Sequence, residues 1–435
     1  MKHIYVSAIL TLTFLYVSAQ KIDRIITVKK VEKIEKTLSA DDMGGRGLFT
    51  PGIDKAAAFI AKEFRKAGLQ PLPSSANFFQ EFTLVAATQT NAKGMVDGEE
   101  TDSKNIITFT SKETLEVNEH SGYENVKINA ADKLFNSAYS YITAEKNYVV
   151  WVDAAHSKSF TNLLRLKRES FRSDNSVIFI LSDQASATYS FSIQHQITEK
   201  KLKNIVGILP GKNLRAGAPD KKEEYVIFSG HYDHLGIGKP DANGDSIYNG
   251  ANDDAAGITA VIMLAKYFKK IKNNERTLVF AAFTAEETGG FGSQYFSKQL
   301  EPDKVAAMFN IEMIGTDSKW GKNSAYITGY EKTDMGNIMA KNLEGTGFTF
   351  HPDPYPDQQL FYRSDNATLA RLGVPAHTIS TSKMDSEPFY HTVDDEFETL
   401  DMKNMAAIIK AIALSSRTII SGEDTPSRVD RSKLR

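Results

Sequence analysis

No cysteine occurs among the 435 residues. That absence excludes a disulfide framework, a thiolate metal ligand and a lipid-modified cysteine. An excess of charge is also missing: the formal net charge is −2 at pH 7. A nearly neutral chain has no general electrostatic attraction to nucleic acid, so none is expected as a partner. Beyond the first twenty residues no apolar run reaches the roughly 20 residues that a spanning helix needs, so stable membrane insertion is not expected either. The length gives a soft expectation of two or three domains at roughly 150 residues each, and it does not decide the oligomeric state.

The first residues differ from the rest. Met1, Lys2 and His3 form a short basic start, residues 4–17 are mostly apolar, and Val17, Ser18 and Ala19 precede Gln20 with the small-residue spacing of a secretory cleavage site. Residues 1–19 therefore read as a signal peptide. The alternative, a membrane anchor, is countered by the shortness of the apolar run and its interruption by Ser7 and threonines. Export without disulfides suits a bacterial envelope protein, periplasmic or extracellular.

Changes of pattern set the expected organisation. Ala57, Phe59, Ile60, Phe64 and Leu69, following the turn at Thr50, Pro51 and Gly52, suit an amphipathic helix over 54–69. Residues 20–84 are expected to belong to the main domain. Short β-like runs such as 106–109, 148–152 and 177–181 make 85–203 a β-rich insert. From 204 to 421 strand and helix patterns alternate, which argues for an α/β fold with a mixed, mostly parallel central sheet flanked by helices and a smaller β-rich inserted domain. The polar residues 422–435 are expected to form a flexible tail.

The chemistry lies at strand ends. Residues 225–228 run into His231 and Asp233, residues 277–283 into Glu286 and Glu287, and residues 305–311 into Glu312; Asp253 and His391 lie in turns. In an open α/β sheet the ligand crevice lies at the carboxyl ends of the strands, so these distant residues are expected to meet in one cleft. Individually the signals are weak. A lone histidine after a strand is usually structural or at the surface, the reading given to His234, and Asp254 can serve as an ordinary helix cap. Glu286 and Glu287 could be two solvated glutamates opening a helix, but in a buried cleft neighbouring carboxylates need a proton or a cation between them. Glu312 among apolar neighbours needs a partner as well. Collectively, the set has the layout of a two-metal hydrolase.

The motifs Gly230 to Gly236, Gly250 to Gly257, Thr284 to Glu287 with Gly292 and Ser293, Asn310 to Gly315, and His391 to Asp395 resemble those of the M28 family of zinc aminopeptidases. The resemblance covers about 38–421, including Gly44, Gly45, Arg46 and Gly47; the insert sits where some members carry a protease-associated domain. It implies a zinc-peptidase-like fold and two Zn²⁺ ions, with other divalent ions acceptable. One ion is held by His231, Asp253 and Glu312, the other by Asp253, Glu287 and His391. Glu286 is then the general base that takes a proton from the bridging water and hands it to the leaving amine, and Asp233 orients His231. Peptide or protein N-termini are the implied substrates.

Two departures from the family pattern stand out. Glu312 occupies a position that is most often Asp, and Asn366 stands where His is common in the tract after Arg363, Ser364 and Asp365. Tyr362, with Phe361 at the neighbouring register, and Asp365 are the candidates for contacting substrate. Two other functions compete: a catalytically silent binding protein, and a glutaminyl-cyclase-like transferase, which works with one zinc and lacks the first histidine ligand.

Overall fold

The computed structural model describes residues 21–167, 169–182, 185–217 and 219–435; the expected signal peptide lies outside the described residues. The chain divides into two compact units, one built from 1–81 and 203–435 and the other from 82–202. Among the described residues no helix is long and apolar enough to cross a membrane.

The larger unit contains two N-terminal helices, α1 (Val28–Leu38) and α2 (Pro51–Ala67), and then a sheet wrapped by helices. The helix expected over 54–69 thus begins at Pro51, whose fixed φ and missing N–H suit the first helical turn. The sheet takes the end of β1 (Tyr189–Leu209), then β2 (Tyr225–His231), β3 (Thr277–Phe283), β4 (Val305–Ile311), β5 (Ser324–Ile327), β6 (Thr349–Pro352) and β7 (Ala376–Ser380). Their spatial order is β6, β5, β7, β4, β2, β3, β1. Four neighbouring pairs are parallel, and only β5 with β7 and β3 with β1 are antiparallel. This is the mixed, mostly parallel α/β sheet that the strand and helix alternation predicts.

The centre of that sheet is buried on both faces, which is why β2, β3 and β4 read as continuous apolar runs rather than alternating ones. Phe228 of β2 stacks on Phe280 and Phe309 of its two neighbours, with centroids 5.6 and 5.0 Å apart, and on Phe268 at 5.3 Å. Phe268 belongs to helix α3 (Ala256–Ile271), whose residues from Ala256 to Ala265 are all buried. Only glycine fits at its second position, because a Cβ on Gly257 would collide with the Ile311 carbonyl and the Asp254 carboxylate. That close approach seats the start of α3 against the carboxyl ends of β2 and β4.

The other unit has a four-stranded sheet ordered Ile106–Phe109, Val177–Leu181, Tyr148–Val152, Glu124–Ile128. Alternate residues feed two apolar clusters on its opposite faces: Val149, Trp151, Ile178 and Ile180 on one, Val150, Val152 and Phe179 on the other.

Residues 422–435, expected to be a flexible tail, are instead tied down within the larger unit. The buried Arg276 guanidinium donates to the Asp424 carbonyl (2.7 Å) and to Thr425 Oγ1 (2.5 Å), Arg428 donates to the Val305 carbonyl (2.8 Å), and the Val429 N–H bonds to the Gly373 carbonyl (3.1 Å). Polar composition concealed this, because most of the anchoring bonds end on backbone carbonyls, which carry no sequence signal.

Candidate metal centre

His231 closes β2 and is buried. Its Nδ1 faces the Asp233 carbonyl at 3.1 Å, which turns Nε2 toward Asp253 Oδ1, 3.2 Å away. The sequence suggests that the Asp233 carboxylate orients this ring, but the carboxylate stands 3.9 Å from Nδ1. It accepts instead the backbone N–H groups of Glu286 (3.2 Å) and Glu287 (3.4 Å), so Asp233 clamps the glutamate pair while its carbonyl steers the histidine.

Asp253 is held from behind. Asp395 accepts the N–H groups of Asn252 (2.8 Å) and Asp253 (3.0 Å), leaving the Asp253 carboxylate to face two imidazoles, Oδ1 toward His231 and Oδ2 toward His391 Nε2 at 3.3 Å. The following peptide bond, Asp253 to Asp254, is cis. The buried Asp254 carboxylate accepts N–H groups from His231 (3.2 Å), Gly257 (2.9 Å) and Met313 (3.2 Å), tying together the ends of β2 and β4 and the start of α3. Its role is therefore the capping one, extended to two strands.

Glu287 repeats the arrangement of Asp253, with Oε1 2.8 Å from His234 Nδ1 and Oε2 3.2 Å from His391 Nε2. His234, read from sequence as structural or at the surface, is buried inside this cluster. Its signal was only its position three residues after His231. Glu312 follows β4 directly and presents a buried Oε2 that has no hydrogen-bond partner among the described residues, while the Nε2 atoms of His231 and His391 are turned toward carboxylate oxygens. Three of these residues sit beside or at left-handed backbone positions, Ala285 (φ 57°), Met313 (φ 53°) and His391 (φ 57°), conformations that side-chain-bearing residues adopt at a cost and that here turn the chain at the site.

Two groups of ligand atoms converge, each within 4.8 Å of one another: His231, Asp253 and Glu312, and His234, Asp253 and Glu287. Asp253 belongs to both. His391 joins the second through its 3.3 and 3.2 Å approaches to Asp253 and Glu287. So many buried carboxyls need compensating positive charge, since removing one ion from water costs several kcal/mol even after relaxation. Without cations, protons supply it. Burial raises Asp233 and Glu312 to about 7 and pushes Glu286 well above the usual carboxylate range. Burial also acts against Glu287, but hydrogen bonds from His234 and His391 outweigh it and hold the group at about 2. The same bonds, to Asp253 and Glu287, raise His391 to about 10. The oxygen and imidazole donors gathered here suit zinc and its neighbours.

Arg46 underlies the cluster. Fully buried, it donates Nε to the Tyr232 carbonyl (2.9 Å), Nη1 to the carbonyls of Leu38 (2.9 Å) and Asn249 (2.5 Å), and Nη2 to those of Gly250 (2.8 Å) and Asp253 (3.3 Å).

A cavity of about 50 Å³ adjoins the cluster, with Glu312, Tyr390 and Arg363 on its wall. The Tyr390 ring stacks on His391, centroids 3.9 Å apart. Tyr362 and Asp365, the residues expected to contact substrate, do not line this cavity. Tyr362 packs on Phe361 and carries the Lys332 ammonium over its ring, while Asp365 is buried and its carboxyl raised to about 6 by that burial. Asn366, the departure from the expected histidine, uses its amide to brace the carbonyls of Phe361 (3.0 Å) and Ala376 (3.3 Å).

Residues 204–415 match the sequence model of peptidase family M28. The match makes this segment similar to M28 peptidases. Among curated relatives, a probable leucine aminopeptidase of Trichophyton verrucosum (strain HKI 0517) is 29% identical over 214 residues, 47% of this chain and 56% of that protein. The chain spans about half the length of the curated relatives it matches. Two solved structures share the fold: an aminopeptidase from Aneurinibacillus sp. strain AM-1 (TM-score 0.54, 15% identity, 95% of this chain and 98% of that one) and BSAP, a zinc aminopeptidase from Bacillus subtilis (TM-score 0.53, 16% identity, 94% and 97%). The matched segment contains all the clustered donors, from His231 to His391.

Proposed function

We propose that the protein is a zinc aminopeptidase that removes the first residue of peptides. The observation that carries this reading is the shared Asp253 carboxylate, one oxygen facing His231 and the other His391, with Glu312 completing one donor group and Glu287 the other. His231, Asp253 and Glu312 would hold one ion and Asp253, Glu287 and His391 the second, with His234 acting on Glu287 through its hydrogen bond rather than as a ligand. When bound, such ions supply Lewis acidity, polarising a carbonyl and acidifying a water.

Glu286 has no place in either donor group and is the base. Its backbone is fixed by Asp233 next to the ligand Glu287, so its carboxylate receives the proton of the attacking water and passes it to the departing amine. Tyr390, on the wall beside Glu312, has its phenol raised by burial and stays protonated, which makes it the donor for the developing oxyanion in place of Tyr362. The relatives named as aminopeptidases, one of them a zinc enzyme, support the reaction class. The basic start, apolar run and small residues up to Ala19 support export, with removal of residues 1–19; amino-terminal sequencing of the chain recovered from the cell envelope tests this, and a retained Lys2 contradicts it. The function is tested by incubating zinc-loaded protein with aminoacyl anilides and their N-acetylated counterparts. Only the free-amine forms should be cleaved, and equal cleavage of both would exclude an aminopeptidase.

A further inference from the structure

The cavity beside Glu312 has a wall unlike a hydrophobic slot. Thr328, Ser380 and Ser382 are buried along it; Ser380 Oγ donates to the Met313 carbonyl at 3.3 Å and accepts the Ser382 N–H at 3.2 Å, and Ser382 Oγ meets only the Met384 thioether at 3.4 Å among the hydrogen-bond partners of the described residues. Both can turn to donate to a ligand oxygen. Arg363 lines the same cavity. Its guanidinium donates to the neutral Gln358 amide oxygen at 3.2 Å, and among the described residues no carboxylate lies within ion-pair distance of it.

We propose that this pocket takes the side chain of an acidic first residue, aspartyl or glutamyl, with Arg363 pairing with its carboxylate. The inference rests on the aminopeptidase reading, which puts the reacting carbonyl at the metal cluster and hence the first side chain in the cavity that Glu312 and Tyr390 border. A carboxylate meets a lining cation and two recruitable hydroxyls. A leucyl side chain would offer none of the three an acceptor. Hydrogen-bonding pockets discriminate in this way against substrates that lack the matching group.

The test is a kcat/KM series on the zinc-loaded full chain with aspartyl, glutamyl, glutaminyl, leucyl and phenylalanyl 4-nitroanilides. The better acidic substrate should exceed both the leucyl and the glutaminyl one by about tenfold or more. In Arg363→Met the ratio of acidic to leucyl kcat/KM should fall by about tenfold, whereas Arg363→Lys should retain part of the preference; melting by circular dichroism checks that both variants are folded. Faster cleavage of the leucyl or glutaminyl substrate by the parent, or an unchanged ratio in Arg363→Met, overturns the acidic preference while leaving the aminopeptidase in place. Cleavage of none of the five removes the aminopeptidase reading itself, and this inference with it.

Discussion

Glu286 and Glu287 are neighbours in the chain with different surroundings. Glu287 meets two imidazoles at 2.8 and 3.2 Å, and Glu286 belongs to neither donor group. Glu286→Gln should therefore keep its zinc while turnover falls by about 10²-fold or more, and Glu287→Gln should lose zinc together with activity. Elemental analysis beside anilide kinetics separates the two, and zinc loss in the first variant with retention in the second would reverse the roles. His377 allows a test away from the metal cluster. Its Nδ1 faces the Thr328 carbonyl (2.8 Å) and its Nε2 the Thr333 hydroxyl (2.7 Å), and burial lowers its pKa to about 4. The folded state thus resists a proton that the unfolded chain accepts below about 6.5. Above that pH the group contributes nothing. As pH falls from about 6.5 to 4 it should remove about 3 kcal/mol of stability. Urea titrations across that range should show a smaller loss in His377→Asn than in the parent, and parallel curves would refute the assignment.

Between elements, the site is held by buried polar groups rather than by packing alone. Arg46 receives nothing from the metal cluster directly, yet its five donated hydrogen bonds connect the end of α1, the loop after β2 and the loop that carries Asp253. Arg46→Met should lower the stability of the metal-free chain by about 3–5 kcal/mol, because several buried carbonyls lose their partner at once. Where enough of the chain remains folded, zinc binding should weaken too, as the end of β2 with His231 and the loop bearing Asp253 lose their common tie. A denaturation midpoint and zinc affinity both equal to the parent's would show that the loops are fixed by other contacts. Arg46→Lys, with three donors in place of five, should fall between.

For the molecule as a whole, metal uptake and folding are coupled, since the unfolded chain has no preformed site. Loaded protein should contain two zinc ions per chain. Removing them with a chelator should abolish activity and lower the melting temperature, and readdition should restore both. A single ion at saturation would contradict the role of Asp253 as a shared ligand. The acidic-residue preference belongs to this scale as well, since Arg363, the serines at and just beyond the end of β7 and Glu312 come from separate stretches that only the folded chain brings to one cavity.

The sequence by itself determined the α/β alternation, the apolar strands β2, β3 and β4, and the donors at their ends, because burial on both faces of a parallel sheet imposes continuous apolar runs and parallel strands deliver their next residues to one edge. The convergence of His231, Glu287 and Glu312 was readable for that reason, whereas Asp253 and His391 lie in turns and were pointed to by the family resemblance. What joins those donors came only with the tertiary structure. The Asp233 carboxylate binds two backbone N–H groups instead of the imidazole, His234 enters the cluster, Arg46 gathers carbonyls from three segments, and Tyr390 rather than Tyr362 faces the cavity. Each of these depends on a backbone direction or on a side-chain orientation, and neither has a periodicity that residue types can report.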